Sequence, residues 1–323
     1  MKRAVVFFVI LGVALAALYY SEVRREKSAV SPNAVLEVAA DVQRDLTRAP
    51  MHFSRISDDE EIEIGNELAA RYLTYQQKLS PEEQGLADYV IKVGRTVSSQ
   101  AHRRLPYAFH LIPDRSMVNA FSLPGGHVFV GQGLLDLVDS EDQLAFILGH
   151  ELEHIDHYHC VERVQVEAQF RKLRLGIVGE LVQIPLGVWE AGYNKDQELE
   201  AHREGLRLAV LGGYSPYGAV TLFKKFNHLS AENVVHANSP EQELSQLAIQ
   251  GLEGYFRSHP ATSDRMAQVQ RVIAEEHWQD RTTQKPFRVE YAVHNGELLR
   301  TPRFSGSSLV HNFVRRILVQ KSK

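Results

Sequence analysis

The sequence predicts an α+β domain, mostly helical with one small sheet, and three observations lead there. Apolar residues recur at helical spacing through several segments, as in Ile62, Ile64, Leu68, Ala69 and Leu73. Residues 107–112 and 127–130 instead follow strand patterns, and the turn residues Leu123-Pro124-Gly125-Gly126 lie between them. The 323 residues are 44% hydrophobic, enough to bury one large core and leave appendages.

The first residues, Met1-Lys2-Arg3, precede an uncharged apolar run over residues 4–20. As a helix this run covers about 25 Å, slightly less than a hydrocarbon core. Ala14-Leu15-Ala16 offers cleavage-type small residues, whereas Tyr19, Tyr20, Arg24, Arg25 and Lys27 resemble the belt after a retained helix. Residues 1–27 are therefore a signal peptide or an N-terminal membrane anchor, and through them the chain meets a membrane. Residues 28–55 are expected to be a tether, residues 56–285 the main body, and residues 286–323 a C-terminal hairpin and basic helix.

Within the body, Ser57 with Glu60 and Glu61 opens a first helix. A second, over residues 81–99, turns Leu86, Tyr89, Val90 and Val93 inward. The strands follow, with Val118-Asn119-Ala120-Phe121 leading into the Pro-Gly-Gly turn. Helices are then expected over residues 134–138, 141–170, 196–211, 216–226 and 261–274. Residues 173–189 are apolar but interrupted by Glu180 and Pro185, which fits a groove lining, a lid or a packed core segment better than a membrane span. Residues 227–247 read as a polar loop, and Asn295-Gly296 as the turn of the C-terminal hairpin.

Charge excludes one class of partner. The 36 basic and 40 acidic residues are spread along the chain and leave a net charge of −4, so no nucleic acid is expected. Cys160 is the single cysteine, hence no intramolecular disulfide; it is a small buried side chain or a reactive thiol.

The chemistry is concentrated in Gly149-His150-Glu151-Leu152-Glu153-His154. Histidines four apart on a helix project from one face and converge on one ion. A catalytic zinc takes three protein ligands and keeps a position for water, so a third ligand must come from elsewhere. The run fits both HExxH and HxxEH, and spacing leaves Glu151 and Glu153 equally placed as the base.

With these motifs the sequence resembles the HtpX and CAAX prenyl endopeptidase family of gluzincins, nearest to its periplasmic BepA-like branch. The resemblance covers roughly residues 56–274. Its pieces occur in order: Ile62-Glu63-Ile64-Gly65, Val118-Asn119-Ala120-Phe121 with Pro124-Gly125-Gly126, HELEH with His159 after it, Glu198-Leu199-Glu200-Ala201, and Ser258-His259-Pro260 with Arg265.

The resemblance implies a zincin-like fold whose edge strand flanks the HExxH helix, one Zn²⁺ per chain, Glu198 as third ligand and Glu151 as base. It implies that Asn119, Ala120 and Phe121 hold extended or unfolded protein substrates by strand addition. His202 stands where the family has an aspartate. It is an acceptor behind a ligand, a fourth ligand, or a mark of lost function. His259 stabilises an oxyanion, latches the open metal position, or merely ends a turn. Arg265 is expected to pair with a carboxylate near the metal. His159 is expected to pack or hydrogen-bond within the long helix, and His157 and His159 to take up adventitious metal. The function implied is a zinc endopeptidase on the periplasmic side of the bacterial envelope, secreted or anchored in the inner membrane. The competing reading is a catalytically silent zinc-binding scaffold, its metal sealed by His202 or His259.

Overall fold

A computed structural model describes residues 56–73, 79–171, 173–174, 177–190, 192–231 and 263–287. The expected N-terminal membrane segment and tether, His259, and the C-terminal hairpin and basic helix lie outside these residues. All that is described belongs to the compact unit Ile56–Lys323.

The elements in order are helices α1 (Asp58–Leu73) and α2 (Pro81–Ser98), strands β1 (Ala108–Ile112), β2 (Ala120–Leu123) and β3 (His127–Gly131), and short helix α3 (Gln132–Leu135). Helices α4 (Glu141–Asp156), α5 (His159–Arg171), α6 (Val178–Leu181), α7 (Lys195–Leu211), α8 (Tyr217–Ala231) and α9 (Ser263–Glu275) follow. Local chemistry sets several starts. The backbone N–H of Ser57 donates to Glu60 Oε2 (2.8 Å) while that of Glu60 donates to Ser57 Oγ (3.3 Å). Ser80 and Glu83 form the same reciprocal cap on α2, with Pro81 in its first turn, and Asn194 with Gln197 on α7.

The sheet order is β1-β3-β2, with β1 parallel and β2 antiparallel to β3. Period-two alternation divides its side chains between two cores. Val128, Val130 and Ala120 join Phe109 and Leu111 in the cluster that includes residues of α2, α4, α7, α8 and α9. Phe121, Leu123 and Phe129 join residues of α1 and α5, together with Leu181, Ile184 and Trp189. Residues 173–189 thus contribute to a packed core. The Pro-Gly-Gly turn is clasped by α1: Gly125 has φ 77°, and its N–H donates to Glu61 Oε1 (3.0 Å).

Three expected helices change, the one expected over residues 216–226 running on as α8 to Ala231, into the expected polar loop. Residues 134–138 become α3, ending at Leu135. The single helix expected over residues 141–170 is broken into α4 and α5 at Tyr158, which takes φ 62°. No glycine or proline signals the break. Distant groups impose it: Arg103 stacks over the Tyr158 ring (3.9 Å), and the Asp156 carboxylate accepts from the N–H groups of His102 (2.9 Å) and Arg103 (2.7 Å). These contacts outweigh a helical pattern that would have run on.

On the α1 side of the sheet, His110 Nε2 lies 3.0 Å from His127 Nδ1, and His127 Nε2 2.9 Å from Asn66 Oδ1. The amide oxygen accepts, so His127 carries its proton on Nε2 and receives one bond from His110 Nε2–H. Burial, and then His127, push His110 down to about 4, and burial lowers His127 too. An unfolded histidine titrates near 6.5, so between these values the unfolded chain binds the extra proton. Stability is therefore intact above about pH 6.5 and lost as pH falls toward 4. From His110 alone the loss between pH 7 and 5 is about 2 kcal/mol. Denaturant unfolding at the two pH values should show this drop, and His110→Gln, which keeps a donor for His127, should flatten it. Equal drops in both proteins would remove His110 from the account.

Candidate metal centre

Two close backbone approaches build the site. A Cβ placed on Gly149 of α4 would fall 2.5 Å from Gly205 O, and one on Gly205 of α7 2.6 Å from His150 N. The helices therefore cross backbone to backbone at these glycines, which brings the first half of α7 beside the HELEH turn of α4. His150 and His154, four residues apart, share a face. Glu198 lies in the first turn of α7, and its Oε1 accepts from the N–H of Tyr193 (3.1 Å).

The result is a convergent donor set. The His150 and His154 Nε2 atoms are 3.2 Å apart. Glu198 Oε2 lies 3.5 Å from the first and Oε1 3.7 Å from the second. A tetrahedral ion with ligands at 2.0–2.1 Å sets its ligands about 3.3 Å apart, so these residues fit zinc. All three are buried, at 2% or less exposure. Two imidazole nitrogens and a carboxylate in such a place call for a shared cation.

Behind the ligands, His154 Nδ1 lies 3.0 Å from His159 Nδ1, and His159 Nε2 3.2 Å from Glu200 Oε2. Since a carboxylate only accepts, His159 holds its proton on Nε2 and accepts at Nδ1. His154 then donates from Nδ1 and keeps Nε2 free for the ion, the arrangement that orients a metal-binding histidine. The His154 ring also stacks on Tyr193 (3.9 Å, 13°). Tyr193 is held in turn by Cys160 Sγ (3.1 Å) and by Arg163 (3.7 Å).

Glu151 is fully buried, and its Oε2 accepts from Ser122 Oγ of β2 (3.2 Å). Glu153 points elsewhere, paired with His157. Arg265 of α9 donates to Glu198 Oε2 (3.2 Å). His202 is buried with its ring 4.2 Å from that of His150, and its Nδ1 meets the backbone oxygen of Glu198. Burial, followed by the charges of His150 and Arg265, holds its pKa well below the usual histidine value, so the ring is neutral. The ligand atoms of His150, His154 and Glu198 close on one point without His202. Asn119 immediately precedes β2, and Ala120 and Phe121 are buried in its first two positions. Burial pushes the Cys160 thiol up to about 12, which leaves it inert as a nucleophile.

Sequence reasoning missed Ser122, Tyr193 and Glu200. Ser122 had one usable signal, a polar residue on the inward parity of an otherwise apolar strand. Tyr193 and Glu200 had none, since their roles arise from elements distant in the chain.

Such a site, a buried metal-ligand set with a further carboxylate beside it on a mostly helical scaffold with a small sheet, defines a metal-binding domain. Residues 84–273, more than half of the chain, match peptidase family M48, and the chain belongs to that family. Over 165 residues it is 30% identical to the mitochondrial metalloendopeptidase OMA1 of Arabidopsis thaliana, covering 48% of this chain and 34% of the relative. The β-barrel assembly-enhancing protease of Escherichia coli K12 is 28% identical over 160 residues, 43% of this chain and 32% of the relative. The OMA1 of Schizosaccharomyces pombe is 29% identical over 161 residues, 47% of this chain and 48% of the relative. The match thus spans a third to about half of these relatives' length.

Proposed function

We propose that the chain is a zinc-dependent endopeptidase that cleaves extended segments of envelope proteins, misfolded or unassembled ones foremost. The observation that carries this reading is the convergence of His150, His154 and Glu198 beside a carboxylate, Glu151, that no ligand role consumes. Those three residues would hold the ion. Zinc, when bound, supplies Lewis acidity to the scissile carbonyl and makes a water acidic enough to give up its proton. Glu151 takes that proton on its carboxylate and returns it to the leaving amine. Ser122 Oγ, bonded to Oε2, orients the carboxylate.

Substrate binding falls to β2. Among the described residues it has a strand partner on one side only, and Ser122 ties it to the base. A peptide added along it through main-chain bonds would lie across the metal with little demand on side-chain identity, which selects unfolded over compact substrates. Residues 4–20 support placement on the periplasmic side of a bacterial envelope, by secretion or by an inner-membrane anchor. Among the described residues no helix is long and apolar enough to cross a membrane.

Purified full-length protein is expected to carry one catalytic zinc and to hydrolyse casein, to lose activity on chelation and to regain it with added zinc. Destabilised envelope proteins should be cut faster than their folded forms. Zinc bound at His150 and His154 without any hydrolysis would favour the silent scaffold, with His202, packed against His150, as the seal. In that case His202→Asp should restore activity.

A further inference from the structure

Provided that His150, His154 and Glu198 hold the zinc, we propose that Arg163 of α5 is a positioning residue for it, fixing two of the three ligands at once through Tyr193. The Arg163 guanidinium makes three contacts in the segment that leads into α7. Nη1 donates to the carbonyl of Val188 (2.9 Å) and Nη2 to that of Gly192. The group also lies over the Tyr193 ring, 3.7 Å from its centre.

The first ligand it governs is Glu198. The Gly192 carbonyl and the Tyr193 N–H belong to one planar peptide group. Arg163 holds the oxygen end of that plane, and the N–H end donates to Glu198 Oε1 (3.1 Å). Orienting the peptide therefore orients the donor that sets the Glu198 carboxylate, and a charged donor on the oxygen polarises the N–H toward a stronger bond. Glu162, the neighbour of Arg163, adds a second tie from α5: its Oε2 accepts from Gln197 Nε2 (2.8 Å), in the cap that starts α7.

The second ligand is His154. Rotation about the Cβ–Cγ bond of a histidine is broad. The contact of Nδ1 with His159 (3.0 Å) pins one atom and leaves the ring free to swing about it. Stacking on Tyr193, at 3.9 Å and 13°, fixes the ring plane, so Nε2 keeps its aim. Two groups this close to one ring centre cannot share a face, so Arg163 backs the tyrosine from the side opposite His154. A lysine would not do the same, because an ammonium lacks the planar fork that reaches two carbonyls while lying flat on a ring.

The test compares full-length wild type, Arg163→Gln and Arg163→Lys. Zinc affinity is read by competition with a chromogenic chelator, and ligand geometry by the visible spectrum of the Co²⁺-substituted protein. Arg163→Gln is expected to bind zinc about 10–100-fold more weakly and to change the Co²⁺ spectrum, with Arg163→Lys closer to it than to wild type. Val164→Ala is the control: it hollows the core under the same helix and should lower the denaturation midpoint while leaving both readings at wild type. Wild-type affinity and spectrum in Arg163→Gln would overturn the proposal, and so would equal losses in Val164→Ala, which would make the effect one of stability alone. Should Arg163→Gln fail to fold, Tyr193→Leu, which removes the stack and keeps the backbone N–H, should weaken zinc binding where Tyr193→Phe does not; equal affinities in these two would overturn the proposal. Wild type without zinc would overturn the ligand assignment as well, whereas zinc held equally by wild type and Arg163→Gln overturns the positioning role alone.

Discussion

Replacing Glu151 with Gln is expected to lower casein hydrolysis by about 10²–10⁴-fold while zinc content and thermal unfolding stay near wild type. The amide has nearly the shape of the carboxylate and can still accept from Ser122 Oγ, so the fold loses little. It cannot take a proton at neutral pH. The loss should fall on kcat and leave KM largely unchanged, because the interaction removed belongs to the transition state. Glu153→Gln is the informative companion. If Glu153→Gln were the inactive variant and Glu151→Gln the active one, the HxxEH reading would hold and the mechanism above would have its base on the wrong side of the helix.

That choice shows where the sequence stops being legible. At 100° per residue, Glu151 and Glu153 stand about 80° to either side of the line midway between His150 and His154. The helix alone treats them alike. The surroundings break the symmetry: β2 lies on the Glu151 side and offers Ser122, whereas Glu153 faces His157 at the end of α4. Family resemblance pointed to Glu151 for a reason visible only when the sheet is folded against the helix.

The same division runs through the fold. Caps and periodicity are local, so the starts of α1 and α2 could be read from Ser57 with Glu60 and from Ser80-Pro81 with Glu83. The break at Tyr158 could not, because residues some fifty positions earlier in the chain impose it, among them Arg103 over the ring. Glu200 was legible as a residue and illegible as a role. Only the angle between α4 and α7 places its carboxylate behind His159.

That angle depends on two glycines, and Gly205→Ala should therefore damage both stability and metal binding. In an exposed helix the exchange would stabilise by up to about 1 kcal/mol. Here the new methyl would sit 2.6 Å from His150 N and 2.8 Å from His150 Cα. Those atoms are backbone of the neighbouring helix and cannot rotate away, so α4 and α7 must separate. Overpacking of this kind costs about 1–3 kcal/mol. The separation also pulls Glu198 from the two histidines, whose present spacings of 3.5 and 3.7 Å leave little slack for a shared ion. We expect a lower denaturation midpoint and weaker zinc binding together, measured by denaturant titration and by competition with a chromogenic chelator. Gly179→Ala is the control, since a Cβ there meets nothing within 4 Å; it should leave both quantities unchanged or slightly raise stability. If Gly205→Ala weakened folding and left zinc affinity intact, the helix crossing would be a packing device alone, and the ligand geometry would be set by the capped first turn of α7.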